Sequence, residues 1–302
     1  MNTIRVGVNG YGVIGKRVAD AVLLQQDMDL AGIADIVTDW RIQSAANRLP
    51  VFASSAEARQ AMHAAGVTAR GSLDDLLAQC DVIVDSTPKH VAAGNMERYR
   101  AAGVKTVLQG GESHPSTRHS FVAQANYATA VGRDSTRVVS CNTTSIVRVL
   151  GALERAGLLL RARGVLIRRA TDPWESHLGG IMNTMVPEPT IPSHQGPDAQ
   201  TVLPPLDVVT IAAKGAHTQT HSHYWTLQLT RDATRDEVLD ALRAAPRIAL
   251  IRMSDGLVAL NSTIELMRDL GRPRGDMWEV AVWEDLVTVH GSEAYLAYQV
   301  YN

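Results

Sequence analysis

Residues 10–15, with the sequence GYGVIG, constrain the fold of this chain more than any other stretch. They follow an apolar run at residues 4–9 that is typical of a buried parallel strand, and they precede a stretch with helical periodicity. A G-x-G-x-x-G pattern alone is weak evidence, but between a strand and a helix it indicates a dinucleotide-binding unit. Gly10 would make the tight turn, Gly12 would let a pyrophosphate approach the backbone, and Gly15 would let helix and strand pack closely.

A second predicted strand, residues 30–34, ends at Asp35, 20 residues after Gly15. An acidic side chain at this position accepts hydrogen bonds from the adenosine ribose and repels a 2′-phosphate. Asp35 therefore favours NAD over NADP, and the alternative is a solvated turn residue.

Strands and helices continue to alternate through the first half of the chain. Helices are predicted at 73–79 and 91–102, and strands at 81–85, 105–108 and 137–141. Such alternation predicts a doubly wound parallel sheet with right-handed crossovers, whose ligands gather at the carboxyl ends of the strands. The turns expected at that edge are those at Gly10, Asp35, Thr87, Gly111 and Cys141, which puts Cys141 where a nicotinamide ring could reach it. We assign residues 1–140 to this dinucleotide-binding domain.

Cys141 is a candidate nucleophile. It follows a short β-branched run and precedes a helical pattern, with Asn142 or Thr143 available as the helix cap. At a helix N-terminus the macrodipole and the free backbone N–H groups favour the thiolate. The alternative is a small core residue, as we expect for Cys80, which lies at the opposite edge of the predicted sheet.

Composition excludes several classes of protein. A net charge of −2 gives no general attraction to nucleic acid or to an anionic membrane. Two cysteines without zinc-type spacing argue against a disulfide scaffold and favour a cytoplasmic protein, as does a first strand that begins without a leader-like segment. No stretch approaches the ~20 apolar residues of a membrane span.

Residues 141–302 have a different pattern and are predicted to form an α+β domain for catalysis and oligomerisation, with a mixed or antiparallel sheet. Helices separate long apolar runs there, and residues 171–203 are predicted to form one long polar loop. The predicted strands are 165–170, 207–213, 224–230, 247–253, 279–289 and 294–301, and the predicted helices are 234–244 and 261–270.

Charged and polar residues in this half suggest anion chemistry. Arg168 and Arg169 are adjacent in a predicted strand, so they should point to opposite faces and serve two partners, such as a substrate phosphate and the cofactor. Residues 193–198 can offer donors to an anion. The three histidines at 217, 221 and 223 share one face, so spacing cannot select among them. A metal is disfavoured because no carboxylate lies near them, whereas a base for Cys141 is a better interpretation.

The chain resembles the archaeal-type (class II) phosphorylating glyceraldehyde-3-phosphate dehydrogenases over essentially its whole length. The resemblance rests on long blocks rather than on the glycine motif alone. They are residues 9–21, 121–127, 137–144, 165–169, 192–194 with 196–198, 269–274 and 279–284.

The resemblance implies roles for individual residues. Cys141 is the nucleophile, His221 is the catalytic base, and the substrate is an aldehyde that is oxidised to a thioester and released by inorganic phosphate. The substrate contacts implied or expected are Ser140, Asn142, Thr143, Arg168, His194, Gln195 and Gly196. The cofactor contacts implied or expected are Gly10, Gly12, Val13, Ile14, Gly15, Asp35, Thr87, Gly111, Arg169 and Asn302. The resemblance also implies a homotetramer with NAD or NADP as cofactor. No metal is expected, because no carboxylate lies near the histidines.

Some positions depart from the family pattern. Ser145, Ile146 and Val147 replace a common Gly-Leu-Cys, and Gln195 replaces a histidine. Family members also continue some thirty residues further with a C-terminal helix, so we expect either truncation or its absence, with a weakened cofactor site. Two alternatives therefore stay open: thioester chemistry on another aldehyde, such as erythrose 4-phosphate or a semialdehyde, and a non-catalytic dinucleotide-binding regulator.

Overall fold

The computed structural model describes residues 3–179 and 183–301, which fold into two compact units. The first consists of Met1–Phe121 and Ala128–Val138, and the second consists of Val122–Tyr127 and Val139–Asn302. The roles that the sequence suggests for residues 1–140 and 141–302 stay predictions at this point.

The first unit is built on a parallel sheet. Its strands are β1 (Ile4–Asn9), β2 (Met28–Asp35), β3 (Val51–Ala53), β4 (Val82–Asp85), β5 (Lys105–Leu108), β6 (Ser120–Phe121) and β7 (Ser135–Val138). Their order across the sheet is β3-β2-β1-β4-β5-β7-β6. The order reverses between β1 and β4, which is the topological switch point where doubly wound sheets bind their ligands.

Register brings the predicted ligand edge together. Asn9 on β1 pairs with Ala34 on β2 and with Asp85 on β4, and Asp85 pairs with Leu108 on β5. The turns that follow these residues therefore lie side by side. The helices of this unit are α1 (Val13–Leu23), α2 (Trp40–Ala46), α3 (Ala56–Ala64), α4 (Leu73–Leu77) and α5 (Val91–Ala101). The next helix, α6 (Ala123–Ala130), begins in the second unit and ends in the first.

The second unit is built on a mixed sheet. Its strands are β8 (Leu159–Arg168), β9 (Val186–Pro187), β10 (Val208–Lys214), β11 (His221–Leu229), β12 (Ile248–Ile251), β13 (Val280–Trp283), β14 (Thr288–His290) and β15 (Glu293–Val300). Their order is β12-β13-β15-β11-β8-β10-β9, with β14 paired to β15. The pairs β8–β10 and β12–β13 are parallel and the other pairs are antiparallel.

Helix α7 (Cys141–Arg155) packs on one face of this sheet, and its apolar residues join those of β8, β10, β11 and β15 in the largest core of the unit. The other helices of the unit are α8 (Ser176–Gly179), α9 (Gln195–Gln200), α10 (Arg235–Arg243) and α11 (Leu260–Asp269). Residues of β11 alternate, so His221, His223, Trp225, Leu227 and Leu229 all turn toward the core.

The fold class predicted from the sequence is confirmed, whereas several element boundaries were wrong. Residues 36–72 contain α2, β3 and α3, none of which the pattern predicted, and the loop predicted at 171–203 contains α9. Strand β8 begins at Leu159 rather than at the predicted residue 165. The sequence pattern did not predict its first half, because arginines on the exposed face hide the alternation. The run predicted at 279–289 is two strands separated by a short 3-10 turn.

Candidate active site

The glycine turn of the first unit is shaped as the motif predicts. Gly10 has φ +89°, and a Cβ there would lie 2.8 Å from the Ser86 carbonyl carbon. A Cβ on Gly15 would lie 1.9 Å from the Gly10 oxygen, so helix and turn meet only without a side chain. Apart from its chain neighbours, a Cβ added to Gly12 would have no described atom within 4 Å, and Gly12 is the N-cap of α1, where no described side chain makes a capping hydrogen bond. The turn therefore leaves backbone N–H groups open to an anion.

Asp35 lies against this turn at the end of β2. Its Oδ2 accepts the Tyr11 backbone N–H at 2.6 Å, and its Oδ1 accepts the N–H groups of Ile36 and Val37 at 2.6 and 3.2 Å. The carboxylate is thus fixed beside the loop where a dinucleotide ribose would lie in this fold.

Asp85 is a buried carboxylate at the same edge that sequence reasoning missed. Its Oδ2 accepts from Tyr99 Oη at 2.6 Å, and its Oδ1 accepts from the N–H and the hydroxyl of Thr87 at 2.9 and 2.5 Å. Asn9 donates to the Tyr99 hydroxyl at 2.8 Å. This network holds the turn that contains Thr87, a predicted cofactor contact. Its only signal in the sequence was a carboxylate ending an apolar strand.

Three further predicted cofactor contacts lie at this unit's helix and strand ends. Val13 and Ile14 are half-buried in the first turn of α1, and Gly111 is exposed after β5 with φ +92°. Asn302 lies outside the described residues.

In the second unit, Cys141 is the first residue of α7. The strand before it ends earlier than predicted, at Val138, and the helix cap is Ser140 rather than Asn142 or Thr143. Ser140 Oγ accepts the Thr143 N–H at 3.2 Å, because a cap must precede the first helical residue. Cys141 is half-buried, and the exposed Ser140 precedes it.

Opposing effects act on the pKa of Cys141, and the sequence predicted only the one that favours the thiolate. Desolvation raises the pKa of the thiol, and this effect outweighs Arg169, the Asn142 backbone N–H and Arg168, which lower it. The helix terminus does act in the predicted direction, but it does not by itself produce a thiolate. Cys80 is the buried, structural cysteine expected: its thiol donates to the Leu76 carbonyl, and burial raises its pKa to about 11.

The two adjacent arginines have different carboxylate partners. Arg168, the last residue of β8, pairs with Glu188, and Arg169 pairs with Asp172. Arg169 also lies 5.6 Å from the Tyr301 ring centre. The Nε atom of Arg168 is buried and has no hydrogen-bond partner among the described residues, which leaves a donor for an anion.

Glu188 is the second residue that sequence reasoning missed. Besides Arg168, it contacts His194 Nδ1 at 3.3 Å and accepts from Gln195 Nε2 at 3.4 Å. Burial raises its pKa, but Arg168, Gln195 and His194 together outweigh burial and hold the pKa below its usual value. The Glu188 carboxylate thus contacts three residues predicted to bind substrate, namely Arg168, His194 and Gln195.

Two other predicted substrate contacts have different roles in the structure. The Gly196 N–H donates to Thr210 Oγ1 at 3.1 Å, so it is not available to a substrate. Thr143 is fully buried, and its hydroxyl contacts Ser140 Oγ and donates to Asp198 at 3.3 Å. The described hydrogen bonds of both residues thus hold α9 against its neighbours.

The three histidines occupy different environments. His217 precedes β11, and its Nε2 lies 3.0 Å from the Thr220 carbonyl oxygen. His221 Nδ1 accepts the Arg169 backbone N–H at 3.0 Å. His223 is fully buried against Asn142. Tertiary packing therefore distinguishes the three histidines, which their spacing in the sequence could not.

The hydrogen bond to His221 bears on its predicted role as a base. Because Nδ1 accepts, the neutral ring carries its proton on Nε2 and presents a donor there. Burial, Arg169 and His223 lower the pKa of His221 well below its usual value, so the ring is neutral at pH 7. Among the described residues, no hydrogen bond links His221 to Cys141.

Within the described ranges, no cluster of three or more histidine, cysteine, aspartate or glutamate side chains has the arrangement of a metal site. None of the helices there is long and apolar enough to cross a bilayer.

Known proteins resemble both units. Residues 140–285 match the family model for the C-terminal domain of glyceraldehyde 3-phosphate dehydrogenase, and residues 4–111 match that for the N-terminus of dihydrodipicolinate reductase. Glyceraldehyde-3-phosphate dehydrogenase of Pyrobaculum calidifontis is 46% identical over 99% of this chain and 88% of its own length. The enzymes of that name from Thermococcus kodakarensis and Methanococcoides burtonii are 41% and 40% identical, over 99% and 98% of this chain and 89% and 88% of their own lengths.

A crystal structure of aspartate semialdehyde dehydrogenase II from Vibrio cholerae has a similar fold. The TM-score is 0.67 at 14% identity, over 99% of this chain and 92% of that one. The fold and the matched families define an oxidoreductase with a dinucleotide-binding unit, and they imply NAD(P) as its cofactor. Within that class, the chain belongs to the archaeal-type glyceraldehyde-3-phosphate dehydrogenase family.

Proposed function

We propose that this protein catalyses the phosphorylating oxidation of glyceraldehyde 3-phosphate to 1,3-bisphosphoglycerate with NAD(P), through a thioester on Cys141. The observation that carries the proposal is a half-buried thiol at the start of α7, in the unit that contains Arg168, Arg169 and His221. Family membership over nearly the whole chain supports the same reaction.

The residues of the first unit fit a dinucleotide. The open backbone at Gly12 and the start of α1 would hold the pyrophosphate, and Asp35 would accept from the ribose hydroxyls. When bound, the nicotinamide supplies the hydride acceptor. The carboxylate of Asp35 favours NAD over NADP, because a 2′-phosphate would add a second negative charge beside it.

Cys141 performs the covalent chemistry. Its thiolate adds to the aldehyde carbon, and the carbonyl oxygen becomes the alkoxide of a hemithioacetal. After oxidation, the carbon is a thioester of Cys141. An oxygen of inorganic phosphate attacks that carbon, the C–S bond breaks, and the acyl phosphate leaves while Cys141 is restored as the thiolate.

His221 stabilises the oxygen rather than removing a proton from it. With Nδ1 occupied by the Arg169 N–H, its Nε2–H donates to the developing alkoxide. A neutral imidazole held by a low pKa suits this task, since it donates at neutral pH without carrying charge.

Arg168 is the proposed anchor for a phosphate group. Its buried Nε lacks a partner in the described part of the chain, and its Nη1 pairs with Glu188. A phosphate would compete with Glu188 for this guanidinium and would also lie near His194 and Gln195. Gln195, in place of the family's histidine, keeps a neutral donor at this position.

The initial rate of NADH or NADPH formation tests the proposal. Wild-type protein should oxidise glyceraldehyde 3-phosphate only when phosphate is present, and Cys141→Ser should lose activity by about 10³-fold or more. Cys80→Ala is the matched control and should keep its activity, since Cys80 is buried in the other unit. Full activity in Cys141→Ser, or turnover independent of phosphate, would overturn the proposal. Supplying erythrose 4-phosphate and semialdehydes tests the remaining substrates.

We further propose that the protein assembles as a homotetramer in the cytoplasm. An exposed apolar row crosses the second unit's sheet at Ile211, Val165 and Tyr224, which are neighbours in the β10–β8–β11 register and are 46%, 44% and 48% exposed. Such a row supports a homotetramer that buries it. Two free thiols, Cys80 and Cys141, support a reducing compartment such as the cytoplasm.

A further inference from the structure

A chain of hydrogen bonds runs through the core of the second unit and ends at Cys141. Tyr298 Oη lies 2.8 Å from His223 Nδ1, and His223 Nε2 lies 2.8 Å from Asn142 Oδ1. The other end of the same carboxamide, Asn142 Nδ2, lies 3.9 Å from Cys141 Sγ. Tyr298 and His223 are 0% exposed and Asn142 is 4% exposed, so water does not compete for these contacts.

The direction of the hydrogen bonds follows from the donors and acceptors available. Asn142 Oδ1 can only accept, so His223 must donate from Nε2. In the neutral ring Nδ1 then accepts, and the Tyr298 hydroxyl donates to it. The Ser145 hydroxyl, which donates to the Asn142 carbonyl at 2.7 Å, also lies 3.3 Å from Tyr298 Oη.

This arrangement keeps one protonation state over the working pH range. Burial and Arg168 lower the pKa of His223 to about 3, and burial raises the pKa of Tyr298 above its ordinary value. The ring therefore stays neutral, and the proton on Nε2 stays where Asn142 requires it.

Resting on the proposed role of Cys141 as nucleophile, we propose that His223 is a positioning residue that turns the Asn142 carboxamide so that its N–H donates to the Cys141 sulfur. Without His223, the amide can rotate and present its oxygen to the sulfur, which favours the thiol. Among the described residues, three charged groups act on Cys141: Arg169 and Arg168 lower the pKa of the thiol, and Asp172 raises it. Burial outweighs the two arginines, so the pKa stays above its ordinary value. A fixed neutral donor stabilises the thiolate without adding charge.

A merely structural histidine would behave differently. The His223 ring packs 4.8 Å from the Tyr298 ring and 6.4 Å from that of Trp225, measured between centroids, so its loss also removes packing. Packing alone predicts lower stability with an unchanged thiol, whereas a positioning role predicts a change in the ionisation of Cys141.

The test is the pH dependence of iodoacetamide alkylation, measured in a Cys80→Ala background so that Cys141 is the reacting thiol. We expect His223→Leu to raise the apparent pKa of Cys141 by about one unit, which is about tenfold less thiolate at neutral pH. His223→Gln retains a donor toward Asn142 and should restore most of the effect. Tyr298→Phe keeps the ring but releases His223 Nδ1, and it should give an intermediate pKa.

Leu227→Ala is the packing control, because Leu227 lies buried on the same face of β11. It should lower the melting temperature and leave the thiol pKa unchanged. A wild-type alkylation profile in His223→Leu would overturn the positioning role. If that variant does not fold, a wild-type profile in Tyr298→Phe would overturn it. Alkylation needs no substrate, so these outcomes are distinct from failure of the proposed function, which an active Cys141→Ser enzyme would reveal.

Discussion

The Asp35 carboxylate has one observed role in the fold and one proposed role in cofactor choice. It accepts three backbone N–H groups, from Tyr11, Ile36 and Val37, and so joins the glycine turn to the end of β2. The same negative charge opposes a ribose 2′-phosphate. We therefore propose that the residue which holds the turn also sets the cofactor preference.

Asp35→Asn should raise kcat/KM for NADP relative to NAD by about tenfold, because the charge that repels the 2′-phosphate is gone. Steady-state rates with both cofactors measure the ratio. Asp29→Asn is the matched control, since Asp29 is exposed at the opposite end of the same strand and should leave the ratio unchanged. An unchanged ratio in Asp35→Asn would show that another residue selects the cofactor.

Glu188 is a second carboxylate with a predicted effect on binding. Glu188→Gln should tighten inhibition by sulfate, and lower the KM for the phosphorylated aldehyde, by about 3–10-fold, because Arg168 no longer has an internal anion. Initial-rate kinetics with added sulfate measure this. Asp207→Asn removes a more exposed ion pair, with Arg163, and should change neither constant. Weaker sulfate inhibition in Glu188→Gln would contradict the phosphate site.

The pH dependence of the Glu188 ion pair has a defined sign. Because the folded protein holds the pKa of Glu188 below its usual value, the pair stabilises the fold above about pH 4.3, the ordinary glutamate value. That stabilisation is lost as the pH falls through the lower, folded-state pKa. Comparing acid unfolding of wild type with Glu188→Gln isolates this contribution, and the two curves should converge at the lowest pH.

Among the helices, α7 is the one that positions the proposed nucleophile, Cys141. Ser140 caps it, Cys141 and Asn142 form its first turn, and its apolar residues enter the core of the second unit. The position of the sulfur therefore depends on the stability of one helical turn.

Ser140→Ala should lower the free energy of unfolding by about 0.5–2 kcal/mol and also reduce kcat/KM, because fraying of the first turn moves Cys141. Ser140→Asn restores a cap and should recover both. Ser55→Ala removes the equivalent cap of α3 in the other unit, where Ser55 accepts the Ala58 N–H. That variant should lose stability alone. Denaturant unfolding and rate measurements on the three variants separate these outcomes.

For the whole molecule, the proposed assembly interface is the exposed apolar row at Ile211, Val165 and Tyr224. Val165→Asp should shift the assembly from the proposed tetramer toward smaller species, because a charge in a buried interface lacks compensation. Sedimentation velocity measures the change. Val131→Asp changes an exposed valine in the first unit and should leave the mass unaltered. A monomeric wild type would contradict the proposed assembly.

Local patterns in the sequence predicted the elements with strong periodicity, including β1, β5 and α10, since neighbouring residues alone determine them. They did not predict α2, β3 and α3, whose short elements lack long apolar runs, nor the choice of Ser140 as cap among several small polar residues. The resemblance to a known family carried the activity, which composition could not.

By itself, then, the sequence determined the dinucleotide turn, the fold class and Cys141 as the candidate nucleophile, because each depends on residues close together in the chain. Only the tertiary structure decided which partners they meet. His223 and Asn142 are 81 positions apart, and Glu188 is 20 positions from Arg168. Strand register and the packing of α7 bring these groups within hydrogen-bond distance, and no local pattern records the pairing of residues so far apart.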